Sequence, residues 1–516
     1  MKSFKERFIE LDNKRKELLD RARKCAELTL PYILPPENTD STTKLSTPYQ
    51  SLGARGVNNI AAKLTLGLLP PNAPFFKLTL GEDTDSDTEV EKALVEVENM
   101  AGKVYVDRWL LRNTLHTALQ HAAVTGNSLF FIGEKNSKVY PLDQWVKQRD
   151  GEGNLIELII KENYVFTTLP KEWQQRLIKE GKVSLDENGE YVKVIGQGGF
   201  EKPNNIEVYT RATFDKNKNQ WVVQEEVEGI KGKQKFYKKN EFPFFVIRWH
   251  SLAGDPYGRG IVEQYLGSLI TLEALYKALS SGAIQSSRVI WLVSPESVLQ
   301  PKDIEEAFDG DVKIGNATDV TAIQLNKYAD FQWILTQVAS LEEALSRDFL
   351  MVNGIVRDAE RVTAEEIRTL TQELENTLGG VYSLFSQELL KPLANFLITK
   401  YAKENNPELL NYFEEFDIQI ITGLNAVGRG EDFNRLVAFL NTIQALPDAL
   451  SYIDLPTLLS KLVLSIGIDK NIIKSQEQLQ QEQQQMQMMQ LMSMMGQSQG
   501  GMPQGGGGGV QGNGSI

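Results

Sequence analysis

The stretch that decides the fold reads YGRGIVEQYLGSLITLEALYKALSSGAIQSS and spans residues 257–287. Apolar and aromatic side chains recur along it at the spacing of one helix face. Because residues three and four positions apart lie on the same side of a helix, the stretch predicts a long amphipathic helix that begins after the turn GDPYGRG. Its apolar face consists of Ile261, Tyr265, Leu269, Leu272, Leu275, Tyr276 and Leu279.

A compact insert follows this helix. Its last segment contains Gly315-Asn316, a pair typical of tight hairpin turns, and so predicts a local hairpin. The insert is therefore expected to be small and rich in strands. It consists of the predicted strand RVIWLVSP (288–295), the short helix PKDIEEAF (301–308) and the hairpin segment VKIGNATDVTAIQL (312–325).

A second long helix is predicted after the insert. Asp330 is a favourable N-cap for it, and Asn353-Gly354 is a good pair to end it. Two long helices that bracket a small β-rich unit indicate a stalk with a knob at its end. The apolar face of the second helix consists of Phe331, Ile334, Val338, Leu341, Leu345 and Phe349.

The next segment, GIVRDAERV (354–362), is a short loop that carries Arg357 and Arg361. Thr363 and Glu366 then form a capping box, in which the hydroxyl and the carboxylate each accept from the other's backbone amide. The box predicts the start of a long helix that continues to Phe396. Gly379-Gly380 and Pro392 are expected to bend or weaken that helix.

The chain before residue 257 divides into a helical part and a β-rich part. Apolar spacing predicts one long N-terminal helix that ends before Pro31, with Cys25 on its buried stripe. A second helix carries Val57 to Leu64 on one face and stops before Pro70. Between 128 and 250 the period changes to two, which predicts a mostly antiparallel α+β region. Its predicted strands are SLFFIG, LIELII, IEVYTRATF, QWVVQEEVEG and PFFVIRWH, with turns at RDGEGN and DKNKN and one helix at KEWQQRLIKE.

The length, net charge and cysteine count of the chain limit the classes of function that fit it. At 516 residues the chain has room for roughly three or four domains. A formal charge of −13 argues against a generic nucleic-acid coat, and the single cysteine rules out an intrachain disulfide. No segment approaches the length and apolarity of a membrane span, and the charged N-terminus is unlike a signal peptide, so a cytoplasm-like compartment is expected. The C-terminal hundred residues have helical character, and the last 15–20 or so, rich in glycine, are expected to be disordered.

Catalytic motifs are not found. GLNAVGRG (423–430) has the outer glycine spacing of a phosphate-binding loop, but Arg429 and Gly430 replace the required Lys and Ser/Thr. His116 and His121 are five residues apart on a helix, which points them to different faces and disfavours a metal pair. The acidic loop GEDTDSDTEVEK (81–92) lacks the glycine and terminal glutamate of a calcium loop. The sequence therefore predicts a protein that is not an enzyme and that binds no cofactor or metal.

Five segments, in this order along the chain, carry a family resemblance. No single one is decisive, but together they resemble the portal (head–tail connector) proteins of tailed bacteriophages, most closely those of short-tailed phages, over nearly the whole chain. They are TPYQSLGARGVNNIAAKL (47–64), AAVTGNSLFFI (122–132), YGRGIVEQYLGSLITLE (257–273), RVTAEEIRTLTQELENTLGGVYSLFSQEL (361–389) and TGLNAVGRG (422–430).

The resemblance implies an α+β portal fold, with an α/β wing, a helical stem, a β-rich clip and an α-helical crown assembled as a ring. Carried over by position, the parts are the wing (1–258), the first stem helix (259–287), the clip (288–328), the second stem helix (329–354), the channel loop (355–362), a long wing and crown helix (363–403), the crown (404–474) and a partly disordered Gln/Met/Gly-rich tail (475–516).

The resemblance also implies partners and a place. It implies a homo-dodecamer at one capsid vertex that conducts double-stranded DNA independently of sequence during packaging and ejection. Further implied partners are the terminase, the tail adaptor, the major capsid protein, and the scaffolding and internal core proteins, with no membrane. The ring is expected to be assembled in the host cytoplasm and to remain in the virion. The alternatives are a non-portal oligomeric scaffold or adaptor of a virion, a monomeric or dimeric scaffold with a coiled stalk, and a nuclease associated with packaging.

Candidate contact residues follow from the same placement. Arg357 and Arg361 on the channel loop would touch the DNA backbone weakly in any register; the alternative is pairing with Asp358, Glu360 or a neighbouring subunit. A larger set of candidates is less distinctive, because solvated surface or helix capping would explain those residues equally well. This set contains Arg288 and Lys313 as channel or clip contacts, and Arg55, Asn58 and Arg259 as contacts between subunits.

Overall fold

Helices and antiparallel sheets both contribute to the computed structural model of the chain. The residues it describes are 2–37, 39, 42–70, 74–80, 94, 96–134, 136–185, 190–195, 199–201, 205–316, 318–323, 328–351, 380–405, 407 and 416–420. Within these ranges no helix has the length and apolarity that crossing a bilayer requires.

Besides a helical turn at 96–99, twelve α-helices lie within the described ranges, and two of them, α8 and α10, are 21 residues long. They are α1 Phe4–Asn13, α2 Lys16–Glu27, α3 Leu52–Leu68, α4 Tyr105–Arg108, α5 Leu111–Thr125, α6 Lys171–Lys179, α7 Ile261–Gln264, α8 Leu266–Ser286, α9 Pro301–Glu305, α10 Tyr328–Asp348, α11 Gly380–Phe385 and α12 Lys391–Asn405. Two π-helical turns, Met100–Val104 and Ser386–Leu390, precede α4 and α12.

The strands form five sheets, and every pairing among the described strands is antiparallel, which agrees with the mostly antiparallel region predicted between 128 and 250. The sheet orders are β11-β10-β9-β5-β4, β12-β2-β3, β6-β7-β8, β1-β15 and β13-β14. The strands are β1 Phe76–Leu80, β2 Asn127–Ile132, β3 Ser137–Tyr140, β4 Trp145–Arg149, β5 Leu155–Tyr164, β6 Val183–Leu185, β7 Tyr191–Ile195, β8 Gly199–Glu201, β9 Ile206–Asp215, β10 Gln220–Val227, β11 Ile230–Lys238, β12 Phe244–Arg248, β13 Ile290–Val293, β14 Val320–Ile323 and β15 Phe416–Ile420.

The five strands and the helix predicted between 128 and 250 are confirmed within a few residues at their ends. Both predicted turns are also confirmed. The first joins β4 to β5, and Gly153 in it has a φ of +88°. The second joins β9 to β10, and Asn219 in it has a φ of +48°. Glycine and asparagine tolerate this left-handed backbone, which explains why the turns form at these residues.

The predicted single N-terminal helix is wrong, because it is two helices. α1 ends at Asn13 and α2 begins at Lys16, with Arg15 between them at a φ of −113°. Arg15 falls where the apolar stripe needs a core residue, and its side chain is only 2% exposed. It donates to the Asp12 carboxylate at 2.8 Å and lies over the Tyr257 ring. The break lets this buried cation reach its partners.

The main hydrophobic core joins α2, α3 and α5 to the three-stranded sheet β12-β2-β3. Val57, Ile60, Ala61 and Leu64 of α3 are fully buried, so the predicted face is confirmed. Cys25 is also buried, and burial raises the pKa of its thiol to about 12. The thiol is therefore a core side chain rather than a reactive one.

The two long helices α8 and α10 pack against each other, with Val338 and Leu345 of α10 and Phe349 directly after it buried. A short helix, α7, precedes α8, so the first predicted helix is interrupted at Tyr265. The Asp330 N-cap is wrong, because α10 begins at Tyr328. Asp330 lies in its first turn.

The predicted end of α10 at Asn353-Gly354 is also wrong. The helix ends at Asp348, and Leu350 adopts a left-handed φ of +57°. Asn353 and Gly354 themselves lie outside the described residues, as do the capping box at Thr363 and the C-terminal segment beyond 420. A terminating left-handed residue closes a helix whatever its identity, and here leucine takes the position that glycine usually fills.

The knob between the two helices differs from its prediction. The strand expected at 288–295 is confirmed as β13, and the short helix is α9. The hairpin around Gly315-Asn316 is wrong, because residues 311–316 form no strand and β14 pairs with β13, with Ile290 opposite Ile323. The chain thus closes a long loop instead of a tight local turn.

Candidate functional site

The knob, defined here as residues 288–323, exposes many apolar side chains. None of its described residues is buried in the single chain. Phe308 is 82% exposed, Val312 94% and Ile314 86%, and on β13 three consecutive residues, Ile290, Trp291 and Leu292, are each at least half exposed. A two-stranded sheet without a core of its own is marginally stable in water, and an apolar patch of this kind marks an interaction surface.

The helices that carry the knob share this property. Only Leu269 and Leu272 of the 21 residues of α8 are buried. Ile270 and Ile284 of α8 are 50% and 57% exposed, and Trp333 of α10 is 64% exposed. A helix that is apolar on more than one face is normally buried on more than one side. The stalk and the knob therefore form one continuous candidate assembly surface.

Arg288 and Lys313 both lie on the knob and are exposed. Arg288 is the second residue after α8, and its backbone amide donates to the Gln285 carbonyl. Both positions are compatible with contact to a partner. No described side chain is recorded as bound to either residue's charged group.

Arg55 and Asn58 lie exposed on α3, and the Asn58 side-chain oxygen accepts a bond of 2.7 Å from Gln120. The guanidinium of Arg259 pairs with Glu263 one turn along the chain. Arg259 also forms a backbone bridge with His250. Arg357 and Arg361 lie outside the described residues.

The end of α10 is held by α3. The Asn59 amide donates to the carbonyl oxygens of Phe349 and Leu350 at 3.0 and 2.8 Å, and the Lys63 ammonium donates to that of Leu350 at 2.8 Å. Lys63 is 1% exposed. Two side chains thus satisfy the carbonyls that a helix end leaves unpaired. They fix the point at which the chain leaves the stalk toward residues 355–362.

A second anchor holds α8. The Glu273 carboxylate accepts from the backbone amides of Tyr49 and Gln50 at 3.0 and 3.1 Å. Both stalk helices are thereby tied to the N-terminal part of the chain. These contacts were not predicted, because backbone partners leave no side-chain pattern in the sequence.

Sequence reasoning also missed a buried charge cluster where β4, β12 and the π-helical turn meet. The Glu388 carboxylate, 13% exposed, accepts from the Arg248 backbone amide at 3.1 Å and from its Nε at 2.9 Å. The Arg149 guanidinium lies 3.3 Å from the same carboxylate. Burial lowers the pKa of Arg149 to about 10. The signal was available, since a lysine and an arginine alternate in WVKQR, the sequence of β4.

Lys147 is the deepest member of the cluster. Its ammonium donates to the Asn127 side-chain oxygen at 2.9 Å and lies 4.9 Å from the centre of the Tyr257 ring. Burial first, and then the neighbouring Arg149, hold the pKa of Lys147 well below its ordinary value. The cluster joins two sheets to the π-helical turn that precedes α12.

The histidines lie apart from any metal-binding arrangement. His121 is buried, which lowers its pKa to about 4, and His116 is half-buried. In the ranges that the structure describes, no group of three or more His, Cys, Asp or Glu side chains could hold a metal ion.

The described geometry is that of a structural subunit with a large unfilled assembly surface. The family model for the bacteriophage head to tail connecting protein matches residues 1–473. The chain belongs to this family, and it is a structural connector rather than an enzyme.

Three curated relatives are portal proteins of short-tailed phages. The portal protein of Escherichia phage T7 is 35% identical over 91% of this chain and 88% of its own length. That of Enterobacteria phage T3 is 34% identical over 91% and 88%. That of Enterobacteria phage SP6 is 29% identical over 83% and 80%. The chain is similar to each along most of both lengths, which confirms the family resemblance read from the sequence.

Proposed function

We propose that twelve copies of the chain form a ring at one capsid vertex, through which double-stranded DNA is packaged and ejected. In this proposal α8 and α10 are the stem, residues 288–328 the clip, residues 355–362 the channel loop, and residues 404–474 the crown. The remaining N-terminal part, 1–258, is the wing. The clip receives first the terminase and later the tail adaptor, and the head side contacts capsid, scaffolding and core proteins.

The observation that carries the proposal is the apolar surface of the stalk and knob. A single chain gives residues such as Phe308 and Val312 nothing to pack against within the described residues. Burial of apolar area contributes about 25 cal/mol per Å², so side-by-side packing of many copies would stabilise them. A knob that lacks its own hydrophobic core is stabilised when neighbouring subunits bury its apolar side chains.

The ring is tested by placing charges on the knob. Val312→Asp combined with Ile314→Asp is expected to shift the native mass from about twelve times 58.0 kDa toward the single chain. The reason is that a carboxylate buried at a subunit interface costs several kcal/mol. Because both residues are at least 86% exposed in one chain, the subunit itself should fold. Native mass spectrometry and negative-stain imaging provide the measurement.

Leu185→Asp is the matched control. Leu185 is 60% exposed but lies on β6, away from the knob and stalk. The control should assemble as the unsubstituted chain does. A single-chain particle without a central opening in the unsubstituted protein would refute the ring, and full assembly of the doubly charged knob would refute the role of this surface.

The two loop arginines are proposed to grip DNA without reading its sequence. An acidic wall lets the duplex slide, since affinity grows with the number of phosphates neutralised, and a few cations on a loop add weak contacts to the backbone. Arg357→Ala with Arg361→Ala is expected to reduce the DNA retained in filled heads, measured by quantifying DNA after packaging. Unchanged retention would refute the gripping role of the two arginines.

A further inference from the structure

A cleft of about 620 Å³ opens where the N-terminal helix pair faces the end of β4. Its walls are α1 and α2 on one side and two turns, 150–153 and 251–256, on the other. The turns contain Gly153 and Gly254, whose φ values of +88° and +79° bring the backbone around the opening. The cleft is concave, and the proposed stem and knob contribute no residue to it.

The floor of the cleft is made of cations. Arg15, Lys147, Arg149 and Arg248 all line it. The side chain of Arg15 is 2% exposed, and those of Arg149 and Arg248 are each 8% exposed. Three guanidinium groups, together with the Lys147 amine whose pKa burial lowers, therefore line one depression from three separate elements.

Carboxylates balance these cations only partly. The Glu388 carboxylate forms ion pairs with both Arg149 and Arg248, and the Asp12 carboxylate forms one with Arg15. Asp143 lies near Arg15 but outside the cleft lining, and burial raises the pKa of its carboxyl group. The rim is mixed in charge. It carries Lys14 and Arg21 together with Glu17, Asp150, Glu152 and Asp255.

Two N–H groups on the floor lack acceptors. Arg15 Nη1 and Arg149 Nε have no hydrogen-bond partner within the described residues, and the same holds for Nε of Arg21 on the rim and for Oδ1 of Asp143 outside the lining. A buried donor left unsatisfied costs about 1–3 kcal/mol, so such groups are normally paired. Two of them, on nearly buried guanidinium groups in the wall of one cleft, point to a missing acceptor that carries negative charge.

We propose that this cleft binds a small phosphate-bearing anion. Guanidinium groups match phosphate oxygens in geometry, and a multivalent anion suits three converging guanidinium groups better than a single carboxylate does. The cavity has room for more than one phosphate group. A free anion is favoured over a DNA backbone, because side chains 2–8% exposed are too recessed for the phosphates of a duplex.

The test uses the assembled full-length protein and inorganic pyrophosphate as the probe. Calorimetric titration at constant ionic strength is expected to show saturable binding of one pyrophosphate per chain, with no equivalent effect of added chloride. Arg15→Lys and Arg149→Lys keep each charge but remove the unpaired N–H groups, and each should weaken binding about tenfold or more. Lys233→Ala, at a lysine whose side chain is 87% exposed on β11, should leave binding unchanged.

A short blunt DNA duplex provides the second arm. It should not displace pyrophosphate from the unsubstituted protein. Displacement by the duplex would overturn the small-anion assignment in favour of DNA contact. Absence of saturable pyrophosphate binding in the unsubstituted protein would overturn the site itself, and this result does not depend on whether the variants fold. Binding that both lysine variants retain at full strength would equally place the anion elsewhere.

Discussion

Replacement of Glu388 by alanine is expected to lower the free energy of unfolding by about 3–5 kcal/mol, the usual cost of removing one partner of a buried ion pair. The Glu388 carboxylate holds the Arg248 amide and guanidinium and lies 3.3 Å from Arg149. Both arginine side chains are only 8% exposed, so water replaces the lost acceptor only in part. The variant would leave two buried cations beside Lys147 with no carboxylate between them.

The expected loss in the free energy of unfolding depends on the burial of the Glu388 carboxylate. Glu172→Ala removes a carboxylate that is 66% exposed and lies 3.5 Å from Lys233, and it should change stability by less than about 1 kcal/mol. Glu388→Gln keeps the size and one acceptor and should fall between the two. Urea unfolding followed by circular dichroism at one fixed protein concentration gives the comparison, since assembly would otherwise shift the midpoint. Equal losses for Glu388→Ala and Glu172→Ala would show that the cluster does not stabilise the fold.

The helices and strands that the sequence predicted best were those whose apolar residues recur at a regular local spacing. Leu269 and Leu272 on α8, and Val57 to Leu64 on α3, are buried as their spacing predicts. The break between α1 and α2 was missed. The spacing of apolar residues does not show that a charged residue, Arg15, is buried at a core position together with its partner Asp12. Periodicity detects which face is buried, but not a charge buried on that face.

Long-range pairing was the second source of error. Gly315-Asn316 is a strong local turn signal, yet Ile290 pairs with Ile323 across more than thirty residues. The cost of closing a longer loop grows only slowly with length, so a long-range pairing can compete with the local turn. The Glu388 cluster was missed for a related reason. Its members come from three distant segments, and only the fold brings them together.

Substitution of Gly56 by alanine is expected to destabilise the protein by about 1–3 kcal/mol or more, as overpacking in a filled core does. A β-carbon at Gly56 of α3 would lie 2.5 Å from Cγ and 2.9 Å from Cβ of Phe349. Phe349 is fully buried directly after α10, so its ring has no space to retreat. This clash outweighs the roughly 1 kcal/mol that alanine normally contributes over glycine inside a helix.

Gly267→Ala on α8 is expected to stabilise the protein. This opposite effect would show that the loss at Gly56 comes from the clash with Phe349. Nothing lies within 4 Å of a β-carbon at Gly267, so only the helix-propensity gain of about 0.5–1 kcal/mol remains. Combining Gly56→Ala with Phe349→Leu should recover part of the loss, because a smaller side chain admits the new methyl group. Thermal unfolding of the four proteins, with native mass as a check on assembly, measures both effects. If Gly56→Ala proved as stable as Gly267→Ala, α3 would not hold the end of α10 rigidly, and the loop after it would lack the fixed base that a DNA grip requires.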